Sequence, residues 1–118
     1  MYADNNVTLL GNLRGDPVLR TSHSGHPVCN FQLAVDRSPD STQPPEIINP
    51  RGEGVDFIPI VVWGETANSM AKYLQRGSQI CVNGYLRTRR IQMADGRSIH
   101  TIEIHTNNIK FLKNIKAE

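Results

Sequence analysis

The chain has 118 residues, of which 38% are hydrophobic and 20% are charged, and its formal net charge is only +2. This length fits a single domain, residues 1–118, whose hydrophobic core needs neither disulfides nor a metal. The sequence contains no run of 18 apolar residues, which excludes a membrane-spanning helix, and its start, MYADNNVTLL, lacks the features of a signal peptide. We therefore expect a cytoplasmic protein.

Two segments in the first third of the chain predict β-strands. Residues 7–14 read VTLLGNLR, and Gly11 within them marks a bulge or sharp bend of the kind that a small closed barrel needs. Residues 28–36 alternate in polarity, as a half-buried strand does. The apolar face of this second strand, which is the predicted core face, consists of Cys29, Phe31, Leu33 and Val35.

A long loop and a third strand follow. Residues 37–54 contain four prolines and three acidic residues, which predicts a long flexible loop. Residues 55–63 read VDFIPIVVW and predict a strand with Ile58, Ile60 and Val62 facing the core. The opposite face is apolar as well, so we expect something to cover it. That face consists of Val55, Phe57, Pro59, Val61 and Trp63.

The second half of the chain predicts one helix and two more strands. Residues 65–76 have helical spacing of apolar side chains at Ala67, Met70, Ala71 and Leu74, and Gly77 is placed to end the helix. Residues 79–92 predict a fourth strand that bends at Gly84, residues 97–105 a fifth, and residues 109–112 the end of the core. Three strands, a helix and two strands is the element order of an all-β, five-stranded OB-fold barrel.

The hairpin of the last two strands concentrates positive charge. Residues 84–100 read GYLRTRRIQMADGRSIH and contain four arginines. A period of two places Tyr85, Arg87 and Arg89 on one face. Cationic side chains can follow a phosphate backbone and an aromatic ring can stack on a base. The alternative is a solvated hairpin whose charges prevent aggregation at a sheet edge.

Two aromatic residues strengthen the first interpretation. Phe57 and Trp63 are six residues apart and therefore project from the same face of the third strand. In an OB barrel, the outer face of strands two and three is the usual platform for oligonucleotides. The alternative is that both side chains belong to a core or a subunit interface.

Several motifs together resemble bacterial single-stranded DNA-binding proteins. They are VTLLGNLRGDPVLR, SGHPVCNFQLAVDR, VDFIPIVVWGETA, YLQRGSQICVNGYLRTR and NNIKFL, in register between residues 7 and 112. The resemblance implies an OB fold, single-strand binding with little sequence preference, and a role in replication, recombination or repair at the nucleoid. It also implies a homo-oligomer, with a tetramer favoured over a dimer.

The DNA contacts that the resemblance implies are distributed unevenly on this sequence. Phe57 and Trp63 fall on stacking positions and are aromatic, whereas Ser38 and Ile91 stand where well-studied members carry tryptophan. The basic LRTR hairpin contributes Arg87, Arg89 and Arg90. Further candidate contacts are Tyr85, Arg97, Arg14, Arg20, Arg37, Lys72 and Arg76.

The C-terminus departs from the family pattern. Members commonly end in a flexible acidic tail that recruits replication and repair proteins, whereas this chain ends at LKNIKAE. We therefore expect no acidic tail, and the departure concerns the recruitment of such partners by that route.

Other functions have less support in the sequence. One alternative is a primosome-type dimeric OB protein for replication restart, and another is an OB-fold protein-interaction module in which Phe57 and Trp63 are buried at a protein contact. No nucleotide-binding or nucleophile motif is present, so we expect neither an enzyme nor a cofactor. His23, His26 and Cys29 lack a fourth ligand for zinc, and we expect no metal site.

Overall fold

The computed structural model describes residues 3–37 and 54–113. The predicted loop over residues 37–54 therefore lies outside the described part, except for Arg37 and Gly54, and so does the end of the chain from residue 114. The described residues form six strands and one helix. In chain order these are β1 (Val7–Leu13), β2 (Val18–Thr21), β3 (Pro27–Asp36), β4 (Val55–Trp63), α1 (Glu65–Tyr73), β5 (Gln79–Gln92) and β6 (Ser98–Lys113).

Five of the strands close into a barrel. The sheet order is β1-β5-β6-β4-β3, and β1 pairs again with β3, which closes the ring. The β4–β6 pair is parallel, and the other pairs among the described strands are antiparallel. The predicted five-stranded barrel is thereby confirmed. The short strand β2, which the sequence did not predict, pairs only with β3 and lies outside the ring.

Gly11 lies where the barrel closes. Its neighbour Asn12 pairs both with Gln79 of β5 and with Ala34 of β3. A Cβ atom at residue 11 would collide with the carbonyl oxygen of Ala34. The glycine that the sequence marks as a bend therefore permits the close approach of β1 to β3.

The core consists of the side chains that point into the barrel. The core faces predicted for the second and third strands are confirmed: Cys29, Leu33 and Val62 are fully buried, and Val35 and Ile58 are partly buried against them. The complete set of buried core residues is Leu13, Cys29, Phe31, Leu33, Ile60, Val62, Ala67, Met70, Leu74, Ile80, Val82 and Ile104.

The helix is shorter than the sequence predicts. It ends at Tyr73 rather than at residue 76, because Leu74 adopts an extended backbone conformation. The N–H group of Leu74 still donates to the carbonyl of Met70, and its side chain is buried in the core. The following turn is bonded to β1, since the N–H group of Gly77 donates to the carbonyl of Leu13 at 2.8 Å.

Strands β5 and β6 extend beyond the barrel as a two-stranded ribbon. The pairing of the two strands is irregular between Asn83 and Tyr85, at the predicted bend, and then runs regularly to Gln92 and Ser98. β6 is one continuous strand where the sequence predicts two segments. The hydroxyl of Thr106 donates to the carbonyl of Asn83 at 2.6 Å and so joins β6 to the irregular part of β5.

Candidate nucleic-acid interface

Strand pairing places residues from four strands side by side on the outside of the barrel. Val61 of β4 lies opposite Asn30 of β3 on one side and His105 of β6 on the other, and His105 lies opposite Tyr85 of β5. Because directly opposed residues point to the same side of a sheet, the four side chains form one row. We call this surface the outer face. It comprises Asn30, Gln32, Phe57, Val61, Trp63, Tyr85, Arg87, Arg89, Glu103 and His105.

Three aromatic side chains are exposed on the outer face. Phe57, Trp63 and Tyr85 keep 43%, 37% and 40% of their surface accessible. They are therefore not part of the core of this chain. Val61 differs from its neighbours, because it is buried although it points outward. The predicted cover over this face of β4 thus reaches Val61 and leaves the two aromatic residues of the strand open.

A hydrogen-bonded chain lies behind the aromatic residues. The indole N–H of Trp63 donates to Nδ1 of His105 at 3.1 Å, and Nε2 of His105 lies 2.8 Å from Oε1 of Glu103. Because Nδ1 accepts, a neutral imidazole carries its proton on Nε2 and donates it to the carboxylate. The His105 ring also contacts the ring of Tyr85, with 5.9 Å between centroids. His105 thus touches both aromatic neighbours.

Glu103 and His105 are site residues that the sequence analysis did not identify. Their spacing of two places them on one face of β6, and that signal was available. Their position beside Trp63 depends on the parallel pairing of β4 with β6, which aligns Val61 with His105. Two strands so far apart in the chain give no local sign of this register.

The arginines of the ribbon divide between its two sides. Arg87 lies opposite Glu103, and Nη1 of Arg89 is 4.0 Å from Oε2 of the same carboxylate, both on the outer face. Arg90 points to the other side of the ribbon. Arg97 lies at the tip, where it forms a 2.7 Å ion pair with Asp95. Hydrogen bonds from the backbone N–H and the guanidinium of Arg97 lower the pKa of the Asp95 carboxyl.

Two of the predicted arginines border the outer face through β3. The guanidinium of Arg14 lies 4.0 Å from the centre of the Phe57 ring and donates to Oε1 of Gln32 at 2.7 Å. Arg20 donates to Oδ1 of Asn30 at 2.6 Å. Both cations are therefore held at the margin of the aromatic surface.

A third predicted arginine, Arg37, is held by an acid. It forms a 2.7 Å ion pair with Asp56, and its hydrogen bonds and charge lower the pKa of that carboxyl. Arg37 immediately follows β3, and its N–H group donates to the carbonyl of Gly54. This pair therefore joins the two ends of the segment between β3 and β4.

The remaining predicted contacts lie elsewhere. Lys72 is on α1, with Nζ 5.2 Å from the ring of Tyr73, and the backbone N–H of Arg76 donates to Asp16. In the described part of the chain, no recorded contact joins either cation to the outer face. Ile91, at a position where the family carries an aromatic residue, lies on the ribbon opposite Ile99 and is partly exposed. Ser38 lies outside the described residues.

Trp63 separates two open clefts. The larger, of about 690 Å³, lies between the residues that precede β1 and the irregular part of β5, and it includes Asn83 and Tyr85. The smaller, of about 350 Å³, lies towards β2 and includes Arg20, Arg89 and Glu103. The indole therefore presents a surface to each cleft.

The structure also bears on metal and membrane binding. Within residues 3–37 and 54–113, no three His, Cys, Asp or Glu side chains are grouped so that they could hold a metal ion. No helix within these ranges is long and apolar enough to cross a membrane.

Comparison with known proteins agrees with this geometry. The Single-strand binding protein family matches residues 4–112. A single-stranded DNA-binding protein of Oceanobacillus iheyensis is 35% identical over 109 residues, which cover 92% of this chain and 63% of the relative. Single-stranded DNA-binding protein 2 of Clostridium acetobutylicum is 37% identical over 110 residues, covering 92% and 77%.

A third relative extends the same picture. Single-stranded DNA-binding protein 1 of Staphylococcus aureus is 37% identical over 110 residues, which again cover 92% of this chain but 65% of the relative. The chain thus spans about two thirds of the length of several relatives that it matches, and the names of these relatives state DNA binding and no reaction. With this match over nearly its whole length, the chain belongs to the Single-strand binding protein family.

Proposed function

We propose that the protein binds single-stranded DNA largely independently of sequence, without catalysing a reaction, and coats exposed strands during replication, recombination or repair. The observation that carries this proposal is the outer face itself, where three exposed aromatic side chains stand beside Arg87 and Arg89. Membership in the family and the names of the relatives support it.

Bases and phosphates have separate partners in this proposal. Phe57 and Trp63 receive bases by stacking, which contributes about 1–3 kcal/mol per base in single-strand binders, a range measured on proteins of this same family. Cationic side chains then follow the phosphates, and their effect depends on salt. The full set of proposed contacts is Phe57, Trp63, Tyr85, Arg87, Arg89, Arg90, Arg97, Arg14, Arg20, Arg37, Lys72 and Arg76.

The low net charge is compatible with this function. Only +2 is spread over the whole chain, but Arg87 and Arg89 on β5 are joined by Arg14 and Arg20 at the opposite margin of the outer face. A locally positive surface attracts a polyanion even when the rest of the protein is nearly neutral. The aromatic side chains lie between these two margins, where stacked bases would sit.

We further propose that copies of the chain assemble, with a tetramer favoured over a dimer. Large apolar side chains remain exposed away from the aromatic surface, including Leu10, Tyr73 and Leu112. Exposed apolar area of this kind is typical of interaction surfaces. Light scattering on the eluting protein distinguishes the two assemblies, and a dimer would favour the alternative of a replication-restart protein.

The fluorescence of Trp63 provides the test of DNA binding, because this residue is the only tryptophan in the chain. We would titrate the protein with oligo-dT at low and moderate salt, and with duplex DNA as the control. Quenching by the single strand alone, weakened by salt, is the expected result. Binding seen by anisotropy of a labelled oligonucleotide without quenching would move the bases away from Trp63. No binding at either salt would reject the proposal and favour a protein-interaction module.

A further inference from the structure

The smaller cleft beside Trp63 contains a carboxylate among arginines. The side chain of Glu103 is only 12% exposed, lies opposite Arg87 and approaches Arg89. A negative charge here opposes the phosphate binding for which the surrounding cations are suited. The carboxylate is compatible with a bound strand when it faces a group that donates hydrogen bonds, and phosphate and sugar ring oxygens do not donate.

The two oxygens of this carboxylate are not equally engaged. Oε1 lies 2.8 Å from Nε2 of His105, within hydrogen-bond distance. Oε2 has Nη1 of Arg89 at 4.0 Å, which is too long for a hydrogen bond. Among the described residues, Oε2 therefore has no hydrogen-bond donor, and Glu103 lines the cleft of about 350 Å³. This oxygen is an acceptor available to a ligand.

The acceptor and the stacking surface are held in one arrangement. Because the indole N–H of Trp63 donates to Nδ1 of His105, the neutral imidazole carries its proton on Nε2 and directs it to Oε1. The same histidine thus fixes the ring of Trp63 and the plane of the Glu103 carboxylate. A group bound in the cleft meets both at a fixed separation, which is the condition for selective recognition.

We propose that this cleft is a base subsite that favours cytosine over thymine and uracil. The base lies against Trp63 and donates its exocyclic amino group to Oε2 of Glu103, while Arg89 donates to the ring nitrogen or carbonyl on the same edge. A carboxylate that accepts from the cytosine amino group is an established pairing in nucleic-acid recognition. Thymine and uracil place an oxygen at that position, which the carboxylate repels. The inference rests on the proposed single-strand binding.

The arrangement also defines a variant that should reverse the preference. In Glu103→Gln, the amide oxygen must face His105, because Nε2 of that ring carries the proton while Nδ1 accepts from Trp63. The amide NH₂ group then faces the cleft, where the wild-type protein has an acceptor. A donor at this point matches the carbonyl oxygen of uracil and conflicts with the amino group of cytosine.

The experiment compares oligo-dC with oligo-dU, because these bases differ in the amino or carbonyl group that the proposal concerns. Dissociation constants of the full chain for both strands are measured by anisotropy for the wild type, Glu103→Gln and Glu65→Gln. Glu65 is an exposed acid on α1, so the last variant removes the same charge elsewhere. We expect the dC-to-dU affinity ratio to fall by about tenfold in Glu103→Gln and to stay at the wild-type value in Glu65→Gln.

The outcomes separate the inference from the function on which it rests. An unchanged ratio in Glu103→Gln, with both strands bound, overturns the cytosine subsite and leaves single-strand binding intact. Failure of the wild type to bind either strand rejects the proposed function itself. If circular dichroism shows that Glu103→Gln is unfolded, the wild type is tested with N4,N4-dimethylcytosine, which lacks the donor. Affinity retained for that strand overturns the inference, and loss of the preference supports it.

Discussion

Trp63 and His105 are joined across two strands by a 3.1 Å hydrogen bond from the indole N–H to Nδ1. Trp63 is 37% exposed, whereas His105 is buried, so the bond ties an exposed ring to a fixed point in the protein. A ring that is already oriented loses less conformational freedom when a base stacks on it. His105 therefore contributes to the platform without itself being exposed.

Replacing His105 by valine should loosen Trp63. Valine keeps the β-branched shape that suits a strand but offers no acceptor to the indole N–H. We expect lower steady-state anisotropy of the Trp63 emission and, because one hydrogen bond is lost, an affinity for oligo-dT reduced by about three- to tenfold.

The matched control for this variant is His100→Val. His100 is an exposed histidine on the same strand, opposite Arg90 and on the other side of the ribbon from Glu103. It should change neither the anisotropy of Trp63 nor the binding of oligo-dT. Equal anisotropy in the wild type and His105→Val would show that the hydrogen bond does not orient the indole.

Phe57 should affect binding much more than stability. Its ring is 43% exposed, so Phe57→Ala removes little buried area, while one stacking position is lost. We expect a loss of about 1–3 kcal/mol in oligo-dT affinity, the range found in this family, and a small change in Tm. Tyr73→Ala on α1 removes an aromatic ring that is 50% exposed and serves as the control. A similar loss of affinity in both variants would contradict a specific role for Phe57.

The arginines of the ribbon should determine how binding responds to salt. Each phosphate contact on a single strand contributes about 0.7 to the slope of log affinity against log salt. Arg87→Ala combined with Arg89→Ala should therefore reduce the slope by about 1.4 and weaken binding to all sequences. Lys110→Ala, an exposed position opposite Cys81, is the control. An unchanged slope in the double variant would remove the ribbon from the phosphate path.

The sequence predicts those parts of the fold in which a period reports burial directly. Cys29 and Leu33 alternate with polar residues in β3, and both are fully buried. β2 was missed because its four residues are all exposed and show no alternation. The helix end was misplaced because Leu74 fits the helical period and is buried, yet it reaches the core from an extended backbone.

The same distinction applies to the outer face. Phe57 and Trp63 could be placed together because they are on one strand, and Tyr85 with Arg87 for the same reason. What could not be predicted is which strands lie side by side. The hydrogen bonds that join Trp63 to His105, and His105 to Glu103, exist because β4 pairs in parallel with β6, and that register is a property of barrel closure.

Gly84 should tolerate no side chain. A Cβ atom there would collide with the carbonyl oxygen of His105 and lie 2.8 Å from Cβ of Thr106. Gly84→Ala therefore has to separate β5 from β6 beside the aromatic residues, at a cost of about 1–3 kcal/mol in unfolding free energy. Gly15→Ala is the control, because nothing lies within 4 Å of its Cβ position. Equal denaturant midpoints for the two variants would show that the strands separate easily.

The thiol of Cys29 should make stability depend on pH in the alkaline range. Burial raises its pKa above the ordinary value of 9.0, so the unfolded chain ionises first. The wild type therefore keeps its full stability below pH 9.0 and loses it as the pH rises from there towards the pKa of the folded state.

Cys29→Ala removes this dependence, although it lowers stability at every pH by leaving a small cavity. Urea unfolding of both proteins from neutral to alkaline pH measures the difference, and Cys81 is present in both and cancels. We expect the stability advantage of the wild type to shrink above pH 9.0, since only its unfolded state gains an ionised thiol at this position. An advantage that stays constant across the range would mean that Cys29 ionises as readily in the folded barrel as in the unfolded chain.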